Sequence, residues 1–156
     1  MTLTLFCGNA IARDTELTRP TLKGLKGVYG LVESFDEDIV KDGLTVKTIK
    51  TDVELKLRLA GIPVLSLDEF VTTVGSADLY VNASVLKYGQ RGYIYSVEVA
   101  VLQGVSLLRS PGIKTLAETW SVNMFGTAPD LKDVRESIKD QVDQFINAYL
   151  SVNPKQ

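Results

Sequence analysis

The chain of 156 residues contains no histidine and only one cysteine, Cys7. Histidine is the usual general base near neutral pH and the commonest transition-metal ligand in proteins. A single cysteine can form neither an internal disulfide nor a zinc site built on several thiolates. We therefore expect no metal site and no cofactor. Any catalysis would have to use carboxylate, lysine, tyrosine or hydroxyl groups.

Long apolar runs and a basic excess are also missing. No stretch approaches the roughly 20 apolar residues that span a bilayer, so we expect no transmembrane segment. The chain has 17 basic and 19 acidic residues, and its lysines and arginines are scattered singly. A nucleic-acid partner is not expected from this pattern. Apolar residues make up 45% of the chain and charged residues 23%, which is typical of one globular domain.

The first 24 residues are interpreted as an N-terminal arm or a residual signal segment, ahead of a single α+β domain at 25–156. Residues 3–12 are mildly apolar and end in Ala10-x-Ala12, a pattern typical of secretory cleavage sites. No basic segment precedes them, and a plain N-terminal strand or arm is the alternative. We predict a periplasmic or exported protein, and the alternative is a cytoplasmic one.

Two amphipathic helices are predicted. Ile49, Val53 and Leu57 recur at helical spacing in residues 45–60, and Gly61 and Pro63 end that helix. Residues 131–149 carry a longer apolar stripe. Pro129 is expected at the first position of this second helix, and Asp130 complements the helix dipole. Residues 153–154 are expected to end the helix. A short strand at 62–65 and one helical turn at 66–73 are predicted between the two helices.

Alternating apolar and polar residues predict strands at 28–35, 79–85, 93–101 and 116–122. Gly-rich turns at 88–92 and 110–112 join the last three as hairpins. The acidic segment 36–43 is expected to be a solvated loop, because its residues 40 and 41 break the calcium-loop pattern. The predicted fold is α+β and two-layered, with a mostly antiparallel sheet of four to five strands and two main helices on one face.

The other face of that sheet is the candidate site. Its residues are polar but weakly charged, so they can make directional hydrogen bonds at a modest desolvation cost. A polar face that is simply hydrated is the alternative. The predicted binding residues are Tyr80, Asn82, Ser84, Ser96, Glu98, Thr119 and Ser121.

Several stretches resemble a family of uncharacterised bacterial proteins, many of which carry signal sequences. These stretches are GLT at 43–45, VELKLRLAGI at 53–62, QGVSLLR at 103–109, TW at 119–120, FINAYL at 145–150 and NPK at 153–155. The order of elements also resembles the amino-terminal domain of TolB and related envelope lipoprotein domains. The resemblance implies export to the envelope, and it carries no functional residue.

The sequence therefore favours a non-catalytic envelope or periplasmic domain for binding or assembly. Its expected partner is another protein, or a second copy of the chain, bound through the face or edge of the sheet. The alternative is a small-molecule enzyme that uses Glu98 or another carboxylate on the open face.

Export gives the first testable prediction. Protein purified from its native host is expected to begin near Arg13, because Ala10-x-Ala12 directly precedes that residue. N-terminal sequencing of fractionated cells measures this. A chain that begins at Met1 and is found in the cytosol would contradict it.

Overall fold

The computed structural model describes residues 14–89 and 92–154. A short 3-10 turn, Arg19–Leu22, leads into four strands and four helices. In chain order these are β1 (Gly27–Val32), α1 (Glu37–Lys41), α2 (Val46–Ala60), α3 (Leu67–Thr72), β2 (Ser76–Lys87), β3 (Tyr93–Leu107), β4 (Ser110–Ala128) and α4 (Leu131–Val152).

The four strands form one sheet in the order β1-β2-β3-β4. β1 runs parallel to β2, and the other two pairings are antiparallel. A parallel pair needs a crossover connection, and α1, α2 and α3 supply it. An isolated bridge from Val64 to Val28 adds a short extension beyond β1. The predicted α+β class, with a mostly antiparallel sheet and two main helices, is confirmed.

Local capping sets the ends of α2, as predicted. The Thr45 side chain accepts a hydrogen bond from the main-chain N–H of Thr48, which satisfies one donor of the first turn. Gly61 ends the helix with φ of +79°, a left-handed conformation that glycine adopts without strain. The short helix α3 begins with a capping box between Ser66 and Glu69.

Asp130, rather than Pro129, forms the start of α4. The Asp130 carboxylate accepts a hydrogen bond from the N–H of Asp133, so Asp130 is the N-cap and Pro129 lies outside the helix. Asn153 follows the last turn, and its side-chain amide donates to the main-chain oxygens of Leu22 and Tyr149. The predicted end of the helix is thus confirmed.

The acidic segment 36–43 is not wholly a loop, contrary to expectation. Residues 37–41 form α1, and Ile39 is buried in the core. Glu37 and Asp38 lie in its first turn, where negative charge is favourable to the helix dipole. Burial of Ile39 stabilises α1, although the polar residues around Ile39 in the sequence are typical of a loop.

Alternate strand residues face the two main helices and form the core. Leu79, Val81, Val99, Val101 and Val122 are all buried, and α2 and α4 cover them. Two ion pairs join the helices to each other, from Arg135 to Asp52 at 2.6 Å and from Lys56 to Asp143 at 2.7 Å. Both helices therefore lie side by side over one face of the sheet.

Part of the predicted N-terminal arm packs against this core. Leu22 is fully buried, and Trp120 Nε1 donates a 2.8 Å hydrogen bond to the Asp14 carboxylate. Two hydrogen bonds from Arg19 lower the pKa of Asp14. Cys7 and the predicted cleavage site Ala10-x-Ala12 lie outside the described residues. No helix within the described ranges is long and apolar enough to cross a membrane.

Phe145 provides a test of the core. Its ring has no exposed surface and meets Trp120 edge to face, with ring centroids 5.6 Å apart. Phe145→Ala is expected to lower the free energy of unfolding by about 3–5 kcal/mol, because it removes buried area and leaves a cavity. Denaturant unfolding measures the change. A loss below about 1 kcal/mol would contradict the central position of this residue.

Candidate functional site

The sheet face opposite α2 and α4, here called the open face, carries the side chains that alternate with the core residues. The strand register sets six of the seven predicted site residues on this face. Asn82 pairs with Glu98, and Ser84 pairs with Ser96. The open face includes Tyr29 and Leu31 of β1, Asp78, Tyr80, Asn82, Ser84 and Leu86 of β2, Ile94, Ser96, Glu98, Ala100 and Leu102 of β3, and Glu118, Ser121, Asn123, Phe125 and Thr127 of β4.

Thr119 does not share the open face, contrary to the alternation expected from the sequence. Val101 pairs with Trp120, but the next residue of β3 pairs with Glu118. Thr119 is therefore the extra residue of a β-bulge. Its hydroxyl accepts a 2.7 Å hydrogen bond from Gln103, which also donates to the main chain of the 3-10 turn. Glu118 takes its place on the open face.

Burial varies along the open face. Ser121 is buried, and its hydroxyl donates a 2.8 Å hydrogen bond to Glu118. Tyr80 and Glu98 are half-buried, whereas Ser84 and Ser96 are exposed. The predicted polar row therefore runs from a shielded end near the start of β2 to an exposed end near the β2–β3 turn.

Asp78 dominates the shielded end. Only 8% of the residue is exposed, and its Oδ1 atom is buried without a hydrogen-bond partner among the described residues. Desolvation raises the pKa of Asp78 from 3.8 to about 6. The prediction omitted Asp78 because the predicted strand began one residue later. Asp78 continues the alternation of Tyr80 and Asn82, so extending that alternation by one step would have placed Asp78 on the same face.

Tyr80 lies among several carboxylates. Desolvation is the largest cause that raises the pKa of its hydroxyl, and hydrogen bonding with Glu33 adds to the effect. The negative charges of Glu98 and Asp78 act in the same direction. In the described parts of the chain, no group of three or more acidic or cysteine side chains could hold a metal ion.

The exposed end of the open face is apolar. Phe125 is 66% exposed, and Leu86 and Ile94 are also exposed beside it. These side chains line a shallow hollow of about 180 Å³ together with Ser84 and Ser96. The prediction missed Phe125 because the predicted strand stopped at residue 122, whereas β4 continues to Ala128.

A second hollow adjoins the polar row. It measures about 250 Å³ and is lined by Asn82, Ser84, Phe35 and Asp36. β1 ends at Val32, so the segment after it runs past β2 here without pairing as a strand. Asn82 and Ser84 are therefore accessible both from the face and from the side of β2.

Arg58, near the end of α2, has a structural role. Arg58 donates a 2.8 Å hydrogen bond to Glu54 one turn earlier. This is an ion pair on the helix surface, of a kind that contributes a few tenths of a kcal/mol.

A scan against models of known protein families and a search of curated proteins both find no match for this chain. The resemblance to exported bacterial proteins and to the TolB amino-terminal domain therefore stays a prediction.

Asp78 generates a prediction about pH. Because its pKa is about 6 in the folded protein and 3.8 ordinarily, the folded state binds the proton more tightly. This group's contribution to stability is complete below about pH 4 and is lost as the pH rises through 6, by about 3 kcal/mol in all. Asp78→Asn is expected to remove that loss. The stability of the variant relative to the natural protein should therefore increase between pH 4.5 and pH 8.

Urea unfolding at the two pH values measures this difference. Asp68→Asn, at an exposed carboxylate of α3, is the matched control and should show no such gain. An equal change in both variants would contradict the assignment to Asp78.

Proposed function

We propose that this chain is a non-catalytic domain that binds a protein partner through the open face of its sheet. The observation that carries the proposal is Phe125, an aromatic side chain that is two-thirds exposed near the C-terminal end of β4. Exposed aromatic residues on a sheet face seldom benefit the isolated domain, whereas buried aromatic anchors contribute most of the energy in many protein interfaces.

The surroundings of Phe125 suit such an interface. Ile94 and Leu86 extend the apolar area around the hollow, and the polar row from Ser84 to Tyr80 borders it. An apolar centre with a hydrogen-bonding rim is the usual composition of protein interfaces. Asn123, next to this area, has a buried Oδ1 without a partner among the described residues.

The edge of the sheet offers a second means of contact. β4 is an edge strand, and residues 119–128 contain no charged side chain. Charges and prolines on edge strands ordinarily discourage pairing with other chains. A strand from a partner, or β4 of a second copy, could add to this edge next to Phe125.

The proposed location is the periplasm or another exported compartment of the bacterial envelope. Support comes from Ala10-x-Ala12 and from the resemblance to exported proteins. The cytoplasm is the alternative location.

A small-molecule enzyme is the second candidate, and Asp78 favours it. A carboxyl group with a pKa of about 6 can exchange protons near neutral pH, and buried groups with displaced pKa values are frequent at active sites. Tyr80 and Glu98 are its neighbours on the open face. For this candidate, Asp78 would be the acid or base.

Substitutions on the open face test the proposal once affinity capture from the native host has identified the partner. Phe125→Ala, Asn82→Arg and Glu98→Arg are each expected to weaken binding at least tenfold, because they remove the anchor or crowd the face beside it. Titration calorimetry measures affinity. Leu59→Ala, at an exposed leucine of α2, is the control and should bind normally.

Unchanged affinity in all three folded variants would exclude the open face as the binding site. Reproducible turnover of a small molecule that is abolished by Asp78→Asn would instead establish the enzymatic alternative.

A further inference from the structure

The far end of the β3–β4 hairpin extends beyond the rest of the sheet. β2 pairs with β3 only as far as Leu102, whereas β3 and β4 continue to pair until Leu107 meets Ser110. Five further residues of β3 correspond to roughly 17 Å of two-stranded ribbon. The turn at 108–109 is therefore the outermost point of the hairpin.

Exposed apolar side chains are concentrated at this end. Leu108 is 99% exposed, and Ile113 and Leu116 are each about half exposed. The segment that follows α3 approaches the base of the ribbon, where Val74 is 95% exposed. A cavity of about 470 Å³ lies between the two and is lined in part by Val71, Val74, Leu102 and Leu116.

The charge of the ribbon is opposite in sign to that of the whole chain. The chain has a net charge of −2, yet residues 99–117 contain Arg109 and Lys114 and no acidic residue. Both side chains are exposed, and neither forms an ion pair with another described residue.

Each cation directly follows an exposed apolar residue. Arg109 comes after Leu108, and Lys114 comes after Ile113. The interface of a bilayer accommodates this pairing, since apolar side chains enter the acyl boundary while guanidinium and ammonium groups remain among the phosphates. Each basic residue near an anionic membrane strengthens binding about fivefold.

We propose that the tip of the β3–β4 hairpin, at residues 107–116, docks on a lipid surface that carries anionic headgroups. Leu108 and Ile113 enter the bilayer interface, and Arg109 and Lys114 contact lipid phosphates. This activity is separate from the proposed binding of a protein on the open face, because the two surfaces share no residue.

Cosedimentation with lipid vesicles tests the proposal on the full chain. We expect binding to vesicles of phosphatidylglycerol and phosphatidylcholine, weaker binding to phosphatidylcholine alone, and a loss of affinity as salt increases. Arg109→Gln combined with Lys114→Gln should reduce affinity about 30-fold. Leu108→Ser should reduce it on the order of tenfold, because a buried apolar side chain is lost.

Matched controls exist on the helices. Lys47→Gln with Lys132→Gln removes two exposed charges from α2 and α4, and Leu59→Ser removes an exposed leucine from α2. Both controls should retain vesicle binding within about twofold, a margin well below the effect expected for one surface charge. Circular dichroism checks that every variant is folded.

Three results would overturn the proposal. The first is the absence of binding to anionic vesicles. The second is an equal loss in the control variants, which would indicate a general charge effect. The third is self-association of the chain that Leu108→Ser abolishes while vesicles do not bind, which would assign the tip to contact with a second copy. None of these results affects the test at Phe125.

Discussion

The docking of α4 on the sheet is the contact on which the other surfaces depend. Trp120 and Phe145 have no exposed area and meet edge to face at its centre. Ion pairs from Lys56 and Arg135 then hold α2 beside α4. Both long helices turn their apolar stripes to this one face of the sheet, so neither helix covers the opposite face. The open face and the projecting hairpin therefore remain available for partners.

The open face combines two physical environments. At one end, Asp78 is buried, and one of its carboxylate oxygens has no hydrogen-bond partner among the described residues. Burial of this kind disfavours the charged form of the carboxylate in the folded protein. At the other end, Phe125 exposes apolar area to water. Neither feature stabilises the isolated domain. Residues that are unfavourable for the fold in this way are concentrated at functional sites. Both lie on the face that α2 and α4 leave uncovered, which links the docking of α4 to the proposed binding role.

Elements whose limits depend on local chemistry could be predicted closely. A helix over residues 45–60 that ends at Gly61 was expected, and Thr45 and Gly61 are found at the ends of α2, because capping and left-handed backbone involve only neighbouring residues. The segment 36–43 could not be predicted in this way. Its acidic residues resemble a loop, and α1 forms because Ile39 reaches the core, which depends on residues distant in sequence.

The sequence by itself determined the alternation that brings Tyr80, Asn82 and Ser84 onto one side of β2, because strand geometry repeats every two residues. Only the tertiary structure decided which residues of β3 and β4 join them. Strand length and register depend on long-range pairing, so the bulge that turns Thr119 away and the continuation of β4 to Phe125 have no local signal. The exposure of Leu108 was decided in the same way, because β2 stops short of the hairpin tip.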